Sequence, residues 1–464
     1  MKMTTQQKTE MMGTEAVWKV FAIMAFPSIM SQLSHTVYNL VDRFFMGQYV
    51  GNTALGAISL TGPLINIMAG LSLLITIGGA ALLSMNLGRG KVKDARILFT
   101  NLIVQAILTS FILAVIYFVF APWIITICGA GKTSSLYEGG VTYLRIISFG
   151  LMFQLLNAVQ ASIIRAEGNA GYSLVVSLIG GAVNILFDAV LVVGFHMGIK
   201  GVAYATVASQ FVSALASTVY FFSGKSRMKW MGLKSLDLKI NAEVVKTGMA
   251  PAVLQLLSFV TGLILNNKLR QYGDISSVTG DLAIAAMSVV TTAESVFLGV
   301  VMGINQAISP IVSYNYGAGK YKRVFQGTII ALISGTVFTT ISWILMMFFP
   351  EFIFKVFSND AALISYGVHA MRLYRAFAML VAIQTLCAMF FSSIGEPKTA
   401  TVMSVLKQGL FLIPGYLILP IFFGLDGVLV SMSISDVLSS VIILAIYIHG
   451  LKKLLNKGKE AAYE

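Results

Sequence analysis

The sequence predicts an all-α protein that crosses a membrane twelve times, in two parallel lobes of six helices. Three observations carry that expectation: composition, the length of the apolar runs, and an internal repeat. Of 464 residues, 57% are apolar and 11% charged, with a mean hydropathy of +0.84. A soluble globule carries about 25% charged residues, so this chain has too few charges to cover a water-facing surface. The apolar runs are long enough for spans of about 20 residues. Backbone groups cannot go unpaired in lipid, and runs without two-residue alternation do not make barrels, so the spans are helices. They are expected near 17 to 46, 54 to 87, 96 to 120, 138 to 165, 170 to 194, 201 to 223, 243 to 269, 282 to 314, 324 to 349, 362 to 394, 399 to 423 and 427 to 450.

The repeat gives the organisation. AFPSIMSQLS, with Pro27, aligns with MAPAVLQLLS, with Pro251, and the same register sets Asp42 opposite Asn266. MNLGRGKVKDAR (85–96) aligns with YNYGAGKYKRVF (314–325), and FQLLNA (153–158) with IQTLCA (383–388). Six spans are an even number, so each copy begins and ends on one side, and the copies are parallel repeats about an axis along the membrane normal. The expected division is an N-lobe over 1–223, a basic linker over 224–241 and a C-lobe over 242–464. Two such lobes enclosing a cleft are a transporter plan.

Charge sets orientation. Of 32 Lys and Arg residues, 22 fall at the termini and even-numbered loops, among them Lys2, Lys8, Arg89, Lys91, Lys225, Lys320 and Arg323. Six fall on the other side: Arg43, Lys132, Lys200, Lys268, Arg270 and Lys355. Positive charge marks the cytoplasmic side, so both termini are expected there, in a multi-pass protein of the plasma membrane. The net charge of +13 is scattered through short loops and forms no basic and aromatic patch for nucleic acid. Cys128 and Cys387 stand far apart, without metal spacing, and the polar start runs into the first span with no cleavage pattern. HExxH, GxSxG and clustered histidines are absent from the sequence, so an enzyme is not expected.

Acids inside lipid cost at least about 2.5 kcal/mol each, and they are functional candidates. Counted from Trp18, Asp42 lies about 36 Å along the first helix, and Asp188 lies about 27 Å along the fifth, counted from Ala170. Both reach the outer half of the N-lobe. Asn184 is one turn from Asp188, and Thr206 sits at similar depth on the descending sixth helix. Two carboxylates with an amide and a hydroxyl suit a proton or a sodium ion. Pairing of Asp42 with Arg43 is the plainer alternative. Gln154, Asn157 and Gln160 recur every third residue, as a stripe that faces the cleft or joins helices. Gln255, Glu294 and Met302 are candidates for the cleft wall, Met because it repacks around varied ligands. Pro27 is a candidate hinge. Glu294, Lys407 and Asp436 can equally be plain interhelical ion pairs.

VDRFFMGQYVGNTALGAISLTGP, the LGRGK and YNYGAGK loops, RAEGN, NILFD with GIKGVAYATVAS, and SIGEPKTA with LDGVLVSMS resemble the multidrug and toxic compound extrusion (MATE) family, from about residue 15 to 450. YNYGAG and the helix-one acid resemble its DinF-like and MepA-like bacterial branches. The resemblance implies twelve helices in two lobes, a bent first helix, and expulsion of amphipathic or cationic organic compounds in exchange for protons or sodium. It implies no cofactor, small organic substrates and a monomer in the bilayer. It also implies an N-lobe ion site at Asp42, Asn184, Asp188 and Thr206, with Asn157 nearby. The sequence departs from another branch by having Phe259 where that branch has a helix-seven acid, which leaves no basis for a C-lobe cation site of that kind. A flippase of lipid-linked precursors, or an exporter of an endogenous metabolite, is the alternative.

Overall fold

The computed structural model describes residues 4–51, 56–58, 61–128, 135–276 and 278–460, so Lys2 and Lys132 lie outside the described residues. Every regular element among them is helical. A short helix, α1 (Thr5–Thr14), precedes the N-lobe spans α2 (Val17–Phe45), α3 (Gly62–Gly88), α4 (Val92–Ile127), α5 (Ser135–Ala166), α6 (Ala170–Asp188) and α7 (Gly198–Phe222). The linker ends in a short helix, α8 (Leu238–Thr247), which begins inside the expected linker. The C-lobe holds α9 (Met249–Gly273), α10 (Gly280–Gly317), α11 (Tyr321–Phe348), α12 (Pro350–Phe357), α13 (Ala361–Tyr374), α14 (Val381–Ser393), α15 (Pro397–Val405) and α16 (Ile413–Glu460).

Among the described residues ten helices are long and apolar enough to span a membrane, and α13 with α14 makes another, bent by 48°. The run Pro397–Lys457 counts once among the ten but holds two spans. It turns at Gly424 (φ 58°), and Gly415 packs on Ser431 and Gly427 on the carbonyl of Leu419, so its arms lie antiparallel. The expected twelve spans are thus accounted for. The starts follow local chemistry: Asp360 accepts from the amides of Ala362 and Leu363, and Pro350 and Pro397 open α12 and α15, where a missing N–H costs nothing.

The repeat is visible in the backbone. Gly90 (φ 74°) and Gly319 (φ 70°) take the same left-handed conformation after α3 and α10, in the aligned loops. A Cβ on Gly88 would lie 2.0 Å from the carbonyl oxygen of Tyr314, and one on Gly317 would lie 2.2 Å from that of Met85. In the repeat register Gly88 matches Gly317 and Met85 matches Tyr314, so the contact is reciprocal across the two lobes. Gly78 against Val244 and Gly248 against Leu74 bring α3 and the end of α8 equally close. The lobes therefore touch backbone to backbone at the end that carries most of the Lys and Arg, called here the basic end. The lobe boundary is not a packing boundary: Val17, Val20, Phe21 and Met24 of α2 share one core with Ile304, Ile308 and Ile311 of α10.

Candidate functional site: a buried acid pair and a central cavity

The N-lobe site is built on α2, α5 and α6. Asp188 ends α6 and is completely buried, and Asn184, one turn earlier, is 1% exposed. A six-residue π-helical turn, Ala189–Gly194, follows directly. Such turns widen the helix locally and recur at functional sites. The Asp42 carboxyl lies within hydrogen-bonding reach of Asp188, and Tyr143 of α5 lies within electrostatic reach of both. Among the described residues neither oxygen of Asp188, nor Oδ1 of Asn184, receives a hydrogen bond. Three orphaned, buried acceptors beside a second carboxyl form an oxygen-rich pocket with the donor chemistry for a proton or a sodium ion. The side chain of Arg43 lies outside the described residues.

Two aromatic residues of this site were missed by the sequence reading. Tyr143 has no local signature, because only packing brings α5 against both acids. Tyr38 was legible: it is one turn before Asp42, and its hydroxyl bonds Nδ1 of His35 at 3.0 Å. Thr206 donates to the carbonyl of Val202 in its own helix at 3.0 Å. Asn157 is engaged by α7. Its Oδ1 accepts from Ser217 at 2.7 Å, eleven residues beyond Thr206 and so about 16 Å along α7. The remaining stripe joins helices: Gln160 donates to Thr218 at 2.8 Å, and Gln210 donates to Gln154 at 3.5 Å. Neither Gln154 nor Gln160 lines the central cavity. The spacing was right for a shared face, and that face turned out to be the α5–α7 seam.

That cavity, of about 520 Å³, is walled mainly by α9, α10 and α14, with α3 and the π-helical turn Leu406–Leu412 completing it. Gln255, Glu294 and Met302 all line it, with Asn305, Gln384 and Lys407. Gln255 donates to Asn66 at 3.1 Å and so joins the two lobes at the wall. Two charges of the wall are paired, Glu294 to Arg375 at 2.8 Å and Lys407 to Asp436 at 2.9 Å, and a third, Arg165, donates to Ser173 at 2.8 Å. Gln384 donates to Asp436, Ser439 and Ser440. Pro27 lies inside α2, which runs on through it as one helix. No group of three or more potential metal ligands of the His, Cys, Asp or Glu type occurs among the described residues.

Two repeat-related six-helix lobes, closed on each other at one end and enclosing a mixed apolar and polar cavity, define a polytopic membrane transporter. The chain belongs to the MatE family, whose pattern matches residues 27–190 and again 274–417, once in each lobe. It is 26% identical over 430 residues to multidrug export protein MepA of Staphylococcus aureus (strain N315), covering 90% of this chain and 91% of the relative. It is 24% identical over 451 residues to the MepA of Staphylococcus haemolyticus (strain JCSC1435), covering 97% of each. Among solved structures, the MATE multidrug transporter DinF-BH, solved in complex with a ligand, superposes with a TM-score of 0.86 at 29% identity, covering 94% of this chain and 96% of that one. A MATE family transporter of the MOP superfamily in an outward-facing conformation has the same fold, with a TM-score of 0.87 at 18% identity, covering 98% of this chain and 100% of that one.

Proposed function

We propose that this chain is a secondary active exporter of amphipathic or cationic organic compounds, driven by protons or sodium entering at Asp42 and Asp188. The observation that supports the reading best is the separation of two chemistries: the orphaned acceptors of Asn184 and Asp188 lie beside Asp42 in the N-lobe, while Glu294 and Lys407 of the cavity wall are held in ion pairs. An acid pair can hold a cation or release it, and a lobe that repacks with its protonation state can couple that event to the cavity. One elementary charge crossing about 100 mV releases about 2.3 kcal/mol, enough for roughly fortyfold accumulation of substrate. The MepA relatives are multidrug exporters by name, and DinF-BH holds a bound compound, which supports small organic substrates here. The basic end is read as cytoplasmic, with both termini inside and the cavity shut off from that side. The protein is taken to work as a monomer, without a cofactor.

The test is uptake of a fluorescent organic cation into inverted vesicles under an imposed pH or sodium gradient. Gradient-dependent uptake is the expected result, and the gradient that drives it names the ion. Uptake without either gradient, or movement of a lipid-linked anion instead, would refute the reading. The flippase alternative rests on Arg165 alone among the basic residues of the described wall, because Lys407 is already engaged by Asp436.

A further inference from the structure

We infer that α1 is a strap, and that the basic ends of the two lobes together form its receptor, present only while they are in contact. The reading rests on the two lobes exchanging partners during transport. α1 is too short and too polar to be stable alone, since isolated helices under about 12 residues are marginal in water. Its start is self-sufficient: Thr4 and Gln7 cap each other's backbone. Its end is not. No basic residue stands in its last turn, and the last carbonyls of any helix need outside donors.

The C-lobe supplies them. Asn315 donates to the Met12 carbonyl at 2.8 Å, and Lys320 donates to that of Gly13 at 2.7 Å. Arg323 donates to Met12 at 3.1 Å and also to the carbonyl of Glu15. Asn315 is held for this task by its bond to Ile311 and by Arg323 at 3.0 Å. Gly13 is required, because a Cβ there would meet the Tyr314 ring at 2.7 Å.

The other side of the strap is held by the N-lobe. Lys8 donates to Asn169 at 2.8 Å, and the buried Thr9 donates to the Glu167 carbonyl at 2.9 Å. Gly168 (φ 82°) lets the turn approach so closely that a Cβ would lie 2.7 Å from the Lys8 carbonyl. That turn is itself anchored to the linker, since the Glu167 carboxylate accepts from Ser226 and from the amide of Arg227. Met12 is fully buried in a core that contains Ala170 of the N-lobe and Ile308 and Ile311 of the C-lobe. The tips that α1 bridges, at Asn169 and at Asn315–Arg323, are those that must part for the cavity to open at the basic end. Parting them removes the C-terminal cap of α1 and exposes Met12, so α1 weights the equilibrium toward closure at this end.

The test places spin labels at Lys91→Cys and Lys322→Cys, both exposed at the basic end, in a Cys128→Ser/Cys387→Ala background, and reads the distance distribution in lipid without substrate. The full chain is expected to show mainly the short distance. Deleting residues 2–14 is expected to raise the long-to-short ratio about tenfold or more, which is what one charge-assisted hydrogen bond is worth. Should the deletion not fold, Lys320→Met/Arg323→Gln removes the same cap in the intact chain and is expected to move the ratio in the same direction. An unchanged distribution in that folded double variant overturns the strap. Because no gradient or substrate enters the measurement, loss of the coupling mechanism proposed above would leave this result standing.

Discussion

The two lobes share a plan and treat buried charge in opposite ways. In the N-lobe, Asp188 is completely buried, with no hydrogen-bond donor among the described residues, and stands against a second acid. In the C-lobe, Glu294 meets Arg375 and Asp436 meets Lys407, each within 3 Å. A buried carboxylate is expensive, and there are two ways to carry it: give it a permanent base, or leave it for a mobile cation to neutralise. The C-lobe does the first, and the proposed function has the N-lobe do the second. On the proposed reading, the difference puts ion coupling in the N-lobe and rigidity of the cavity wall in the C-lobe.

The strongest way to break this comparison is to neutralise the N-lobe acids. Asp42→Asn and Asp188→Asn are each expected to cut gradient-driven efflux about 100-fold or more, while dye binding to the purified variant persists, because the cavity wall is untouched. Normal efflux in both variants would move coupling elsewhere. Next in size is the C-lobe. Glu294→Gln strands Arg375, which is 3% exposed, and is expected to cost about 3 kcal/mol of stability, read as a lower midpoint in thermal unfolding. Glu294→Gln/Arg375→Met is expected to recover part of it. If the single variant instead lost its gradient requirement at full stability, Glu294 would belong to the coupling site.

Smaller effects sharpen the assignment. Pro27→Ala closes the hydrogen-bond ladder of α2 and is expected to slow turnover about fivefold with little change in dye affinity. Equal turnover would leave the proline a purely architectural role. Smallest is the wall itself: Met302→Ala is expected to change dye affinity about threefold, differently for different dyes, as an adaptable surface does. Uniform affinities across dyes would show that the contact lies elsewhere in the cavity.

Much of this was legible in the sequence because it depends on local pattern. Apolar run length marked the spans, and the two glycine loops revealed the repeat. Helical arithmetic put Asp42 and Asp188 at one depth, where the structure brings them together. For Gln154, Asn157 and Gln160 the spacing left two readings open, a face on the cleft or a seam between helices, and the structure shows the seam. A period of three says that residues share a face, and it cannot say which neighbour that face meets. The three residues meet α7, through Ser217, Gln210 and Thr218.

What the sequence determined by itself was the run of helical spans, the repeat of the glycine loops and that Asp42 and Asp188 can meet, since each follows from hydropathy, spacing and the constant rise of a helix. The tertiary structure decided which charges are paired. Glu294 and Arg375 are 81 residues apart and Lys407 and Asp436 are 29 apart, and only packed helices bring them within 3 Å. It also placed Tyr143 beside the acid pair, seated the first half of α2 in the C-lobe core, and gave α1 its cap. Contacts of that kind depend on how helix faces rotate and cross, and a one-dimensional pattern carries no term for rotation between helices that are distant in the chain.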